Sequence, residues 1–244
     1  MSSKQKRNYC TDATWLGRSD CKHCSIRNLM LFSGLPDSAF DDRLTHIDHF
    51  IFPAGSTLFE EGRDDGAIYS IRSGMVKLLS LMPGGEHRIV RMLGTGSAIG
   101  LEMLEPGNRY QHTAVALNDV DACRIPVKTV QTLEAGFPEL CHQIRQRLLR
   151  QLDRADQWIV SLSTGPAKKR IAHLLLMMIE YSSDENGDIA MLGGTDIAAV
   201  IGSSPETVSR VLADMKRSRV LQRVASNVYR GNRLALETIT EKID

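Results

Sequence analysis

From Cys141 to Leu162 the chain holds neither glycine nor proline, and its apolar residues return at intervals of seven. Cys141, Leu148, Ala155 and Leu162 form one row, Leu152 and Ile159 a second, and Ile144 and Trp158 stand on the flank. A long helix with one narrow apolar seam pairs most readily with a copy of itself. The alternative is a face packed against a neighbouring domain of the same chain, but the helix is longer than a small domain covers. Segment 137–163 therefore predicts a homodimer joined through Ile144, Leu148, Leu152, Ala155, Ile159 and Leu162, with Cys141 as a core residue. The other faces carry Arg145, Arg147, Arg150, Asp153 and Arg154, and Thr164-Gly165-Pro166 ends the helix at a hinge.

This helix separates two stretches of different character. Before it, turn signals recur every 8–12 residues, among them Pro53-Ala54-Gly55, Arg72-Ser73-Gly74, Pro83-Gly84-Gly85 and Pro106-Gly107-Asn108. Short runs such as Ala67–Ile71 and Met75–Leu79 lie between them, the pattern of a β-sandwich or barrel-like roll. No glycine-rich loop opens onto a helix, which disfavours a nucleotide-binding βαβ unit. With 42% apolar and 24% charged residues over 244 positions the chain can bury a core. No run of 18 apolar residues exists and the N-terminus is polar, so no membrane partner is expected and the cytoplasm is the expected compartment.

After the hinge, Arg170–Ser182 reads as a helix and Asp188–Leu192 as a short strand. Thr195–Gly202 reads as a capped short helix ending at glycine, and Ser203-Ser204-Pro205-Glu206 opens another with proline in its first turn. A basic alternating segment, Val220 to Val228, follows. Residues 203–235 hold seven Lys/Arg against two acids, while residues 31–136 hold nine against fourteen and the whole chain nets only +1. Two short helices joined at a glycine, the second basic and polar at its start, form a helix-turn-helix pattern with a hairpin wing. Glu206, Ser209 and Arg210 project from one face. Arg can donate bidentately to guanine, Glu can accept from cytosine, and Ser can bond to base edges or phosphate. Ser204, Thr207 and Lys216 complete the candidate contacts to double-stranded DNA. The alternative is a plain three-helix cap with an internal Glu206–Arg210 pair.

These residues resemble the CRP/FNR superfamily of bacterial transcription regulators. The resemblance rests on Gly55-Ser56-Thr57-Leu58-Phe59, Ile68–Lys77, Gly96…Ile99-Gly100, Asp196-Ile197-Ala198 and Glu206-Thr207-Val208-Ser209-Arg210, and covers about residues 20–240. It implies an α+β fold class: a cysteine-containing arm over 1–30, a double-stranded, cupin-like sensor β-roll over 31–136, the dimerisation helix over 137–163, and a winged helix-turn-helix over 164–244. It also implies a non-enzymatic regulator with TTGAT-like half-sites. RNA polymerase is an implied partner, through loops such as Met82–Glu86. Members that bind cyclic AMP carry Gly-Glu followed by an Arg-Ser pair. Here Leu101 follows Gly100, and Tyr110-Gln111 stands at the Arg-Ser position, so no cAMP is expected.

The FNR branch resembles this chain in its cysteines and implies oxygen sensing through a 4Fe-4S cluster. Cys21 and Cys24, followed by Ser25-Ile26, match the close pair, and Cys123 in Ala122–Pro126 matches the roll cysteine. The third N-terminal ligand of the family has no cysteine here near Met30, which leaves Cys10. Thiolates near basic residues suit such a cluster. The alternatives are a zinc site on the same thiols or His23, haem, direct thiol redox, or no sensor. A metal-binding cupin-like enzyme using His46, His49, His87 and His112 is a further reading from another class, and it lacks a His-x-His spacing.

Overall fold

The computed structural model describes residues 12–40, 47–83, 85, 87–181 and 186–241. Cys10, His46, Gly84 and Glu86 therefore lie outside the described residues. The fold is α+β. Its first half has strands β1 (Thr14–Arg18), β2 (Asp48–Phe52), β3 (Thr57–Phe59), β4 (Ala67–Ser73), β5 (Val76–Leu81), β6 (His87–Leu93), β7 (Ala98–Ile99), β8 (Thr113–Ala116) and β9 (Val120–Pro126). They form two antiparallel sheets, ordered β1-β2-β9-β4-β7 and β3-β8-β5-β6. Phe50, Ile68, Ile71, Leu78 and Ile125 fill the space between them. The turn signals thus mark the ends of paired strands, as short β elements require.

The expected N-terminal arm is, in its described part, built into this roll. β1 pairs with β2, Trp15 Nε1 donates to Asp48, and Ser19 N–H donates to the Ile47 carbonyl. Edge pairing satisfies backbone groups that a free arm would leave to water.

Helices α1 (Val127–Gly136) and α2 (Glu139–Ser163) follow. The periodic run is continuous helix, but its apolar residues serve two surfaces. Leu148, Leu152 and Ile159 are 45%, 58% and 61% exposed, and Leu149 and Val160 extend the open stripe. Ala155 is half-buried. Ile144 and Leu162, expected on the seam, are instead buried within their own chain, in the roll core and the C-terminal core respectively. Cys141, expected as a core residue, is exposed. Seven-residue spacing cannot separate these faces, because a straight helix drifts about 20° per heptad and carries the ends of the row away from its centre.

The C-terminal half contains α3 (Ala167–Tyr181), β10 (Asp188–Ala190), α4 (Gly194–Ile201), α5 (Pro205–Arg217), β11 (Leu221–Ala225), β12 (Val228–Gly231) and α6 (Arg233–Glu241). Its sheet is ordered β10-β12-β11. Asn227, in the left-handed region at φ 58°, turns β11 into β12. The two halves share a core: Met75, Ile89 and Met92 of the roll pack with Trp158, Leu162, Leu175 and Ile197. Lys77 Nζ on β5 donates to both carboxylate oxygens of Asp196 on α4, at 3.0 and 3.1 Å.

Gly94 sits at this junction, where a Cβ would stand 2.7 Å from Tyr181 Cβ and 2.9 Å from its carbonyl oxygen. Both obstacles belong to helix α3 at its backbone, so the contact cannot relax by a side-chain rotation. Gly94→Ala is expected to cost about 1–3 kcal/mol through overpacking. A lowered thermal midpoint by calorimetry checks this, and an unchanged midpoint would count against the tight junction.

Candidate functional site

The C-terminal site is a helix-turn-helix. Helix α4 ends at Gly202, whose left-handed conformation turns the chain, and Ser203 N–H donates back to the Ala198 carbonyl. Ser204 caps α5 by accepting from Thr207 N–H at 3.3 Å, and Pro205 occupies the first turn. Val208 and Met215 bury the inner face of α5, which leaves Glu206, Ser209 and Arg210 exposed on the outer one. Glu206 and Arg210 form no ion pair among the described residues. The hydrogen bonds at the Glu206 carboxylate, from its own backbone N–H and from Ser204, hold its pKa below the ordinary value. Of the six expected contacts, then, Ser204 and Thr207 serve first as the cap. Lys216 is tethered to the wing, donating to Tyr229 OH at 3.2 Å and lying 4.7 Å over its ring. Glu206, Ser209 and Arg210 remain as the surface able to meet base edges, with Arg217, Arg219 and Arg223 exposed nearby.

The second site is in the roll. Cys21 and Cys24, on the segment after β1, and Cys123, on β9, line one cavity of about 30 Å³ with Met30, Ser70 and Arg72. Such a space takes about one water. Arg72 Nη1 donates to Cys24 Sγ at 3.3 Å, and its Nε pairs with Asp121. Asp121 also holds His49 Nε2 at 2.5 Å. Ser19 Oγ and Cys123 Sγ lie 3.2 Å apart in a hydrogen bond. Burial pushes the Cys21 thiol up to about 12, helped by the neighbouring Cys123 and Cys24, and burial also raises Cys123. Among the described residues no group of three or more His, Cys, Asp or Glu is placed to hold a metal ion. His49 is thus engaged by Asp121 rather than grouped with His87 or His112. Cys10 lies outside the described residues. Arg72 escaped the sequence reading: it stands inside the Ile68–Lys77 run, but nothing there marks a side chain that meets a cysteine 48 residues away.

The cavity is wired to the dimer helix. Arg27, beside Cys24 in sequence, pairs with Asp37 and donates to the Leu35 carbonyl, which fixes the chain turn that follows. Arg147 of α2 then donates to the carbonyls of Leu29, Met30 and Gly96.

Two tests follow from this geometry. Arg210→Ala is expected to weaken binding to a specific duplex by about 1–3 kcal/mol and to relax selection at one guanine, read by fluorescence anisotropy. An equal loss on random duplex would reduce Arg210 to a phosphate contact. In metal-free protein near pH ~8, iodoacetamide is expected to alkylate exposed Cys141 before Cys21 or Cys123, because burial keeps those thiols protonated well above that pH. The thiolate form of Cys21 gains ground only as pH rises towards its folded pKa, and peptide mass spectrometry gives the order.

Comparison with known proteins agrees with both halves. A cyclic nucleotide-binding domain matches residues 50–135 and a Crp-like helix-turn-helix domain residues 169–239. The chain is 30% identical over 193 residues to the cyclic AMP receptor protein of Thermus thermophilus, covering 79% of this chain and 88% of that one. It is 26% identical to the transcriptional activator protein FnrA of Stutzerimonas stutzeri, covering 84% and 86%. A solved structure of a CRP-family transcriptional regulator, also from Thermus thermophilus, superposes with a TM-score of 0.66 at 26% identity, covering 79% and 96%. No helix among the described residues is long and apolar enough to cross a membrane. With a β-roll, a helix exposing an apolar stripe and a capped helix-turn-helix in that order, the chain belongs to the CRP/FNR family of DNA-binding transcription regulators.

Proposed function

We propose that this regulator is of the FNR type: a homodimer that reads an inverted repeat of TTGAT-like half-sites and answers to oxygen or redox state. It acts in the cytoplasm, catalyses no reaction and has RNA polymerase as its partner at promoters. The observation that carries the redox reading is the convergence of Cys21, Cys24 and Cys123 on one cavity beside Arg72, across a hundred residues of sequence. Soft thiol donors suit iron–sulfur ligation, and a guanidinium offsets the negative charge that four thiolates bring. Cys21, Cys24 and Cys123 would hold the 4Fe-4S cluster, with Cys10 as the fourth ligand. When bound, the cluster supplies an oxygen-labile redox centre.

The segment that follows Cys24 is tied to α2, because Arg147 donates to the Leu29 and Met30 carbonyls. The Leu148, Leu152 and Ile159 stripe lies on the same helix, so ligation at the cysteines and pairing at the stripe share one rigid element.

A cyclic-nucleotide sensor is the second reading, favoured by the domain that matches the roll. The chain's own residues oppose it. Tyr110, at the Arg-Ser position, is 1% exposed, stacks on Phe59 at 3.9 Å between ring centroids and donates to the Ala67 carbonyl. Arg109 donates to the Gly62 carbonyl, and Glu102 accepts from Gln111 N–H. The groups that would clamp a cyclic phosphate are absent or engaged.

Visible absorption of anaerobically purified protein decides between these readings. A broad iron–sulfur band that bleaches in air, and is lost in Cys123→Ser, is the expected result. A Soret band would assign haem. A colourless protein whose DNA affinity rises with added cAMP would assign the second reading.

A further inference from the structure

A second cavity, of about 300 Å³, lies between α2 and the turn joining β6 to β7. Arg147, Arg150 and Arg154 line it from one side of α2, and no carboxylate is among its lining residues. Arg147 is fixed by its backbone carbonyls, whereas Arg150 has no hydrogen bond or ion pair among the described residues. Arg154 is steadied by the Tyr181 ring at 5.3 Å and by Glu180 at 3.8 Å. Burial and the charge of Arg150 both lower the Arg147 pKa, the mark of guanidinium groups crowded on one wall.

The facing wall is the turn from Thr95 to Ala98. Ser97 is only 7% exposed, and its Oγ has no hydrogen-bond partner among the described residues. Thr95 Oγ1 is buried and unpartnered in the same way. Both oxygens are shielded from solvent, so they stand behind the wall of the open cleft, and the guanidinium groups of Arg147, Arg150 and Arg154 are the charged groups that line it. Gln151 closes the cleft by donating to the Ala98 carbonyl at 2.6 Å.

We propose that this cleft binds a small phosphorylated molecule, its oxyanion held by Arg150 and Arg154. The volume is at the lower end for small-molecule sites and suits a phosphate with a modest organic body. The site is separate from the position around Tyr110 and from the thiol cavity, and it does not depend on a cluster. Its walls are the dimer helix and the roll, so an occupant bridges the two.

The test is isothermal titration of the full-length protein at low ionic strength with pyrophosphate, adenosine monophosphate and citrate. Saturable binding of a phosphate probe is expected, with affinity about tenfold weaker in Arg150→Gln and in Arg154→Gln. Arg150 is exposed, so its replacement leaves the packed core untouched and guards against a folding defect. Tighter binding of adenosine monophosphate than of pyrophosphate assigns a nucleotide source, and the reverse a non-nucleotide metabolite. Absence of saturable binding by both phosphate probes, citrate binding as tightly as they do, or full affinity in either variant would overturn the proposal.

Discussion

Helix α2 has to satisfy two surfaces with one set of side chains. Leu140 and Ile144 are buried in the roll core and Trp158 and Leu162 in the C-terminal core, so both ends of the helix are anchored within the chain. Between these anchors Leu148, Leu152 and Ile159 face outward. Burying such a stripe against a copy of itself removes it from water without disturbing the anchors. The sensor roll, the dimer stripe and the DNA-binding half are thus geometrically tied to one rod, and Arg147 ties the cysteine segment to it as well.

Much of this was legible in sequence because the signals are local. Turn glycines, the Ser204-Pro205 start and the Gly202 stop each specify backbone geometry within a few residues. The boundaries of α2 to α5 therefore fall close to the expected ones, whereas α1 and α6 were not expected. What sequence could not reveal were contacts between distant segments. Nothing near Lys77 announces Asp196, nothing near Arg72 announces Cys24, and β1 carries no mark that it pairs with β2 rather than hanging free. The division of the heptad row between inside and outside also depends on where the roll sits, which no periodicity encodes.

The candidate sites differ in the same way. The DNA surface lies on a single helix, so three of its residues and the Ser204 start could be read directly, and the engagement of Thr207 in the cap and of Lys216 with the wing needed the fold. The thiol cavity gathers residues from two ends of the roll. Its cysteines were visible as types, but their shared cavity, and the cation beside them, belong to tertiary structure.

The junction between β5 and α4 makes duplex DNA a ligand of the whole molecule and not of α5 alone. Lys77–Asp196 and the Met75, Ile89 and Met92 contacts fasten the first helix of the DNA-binding motif to the sensor roll. Coupling free energies are reciprocal. Whatever an effector on the roll contributes to the grip of α5 on an operator, the operator returns in equal measure to the affinity of the roll for that effector. For any effector that the roll binds, a DNA-bound regulator and a free one are then, thermodynamically, two receptors with two different affinities.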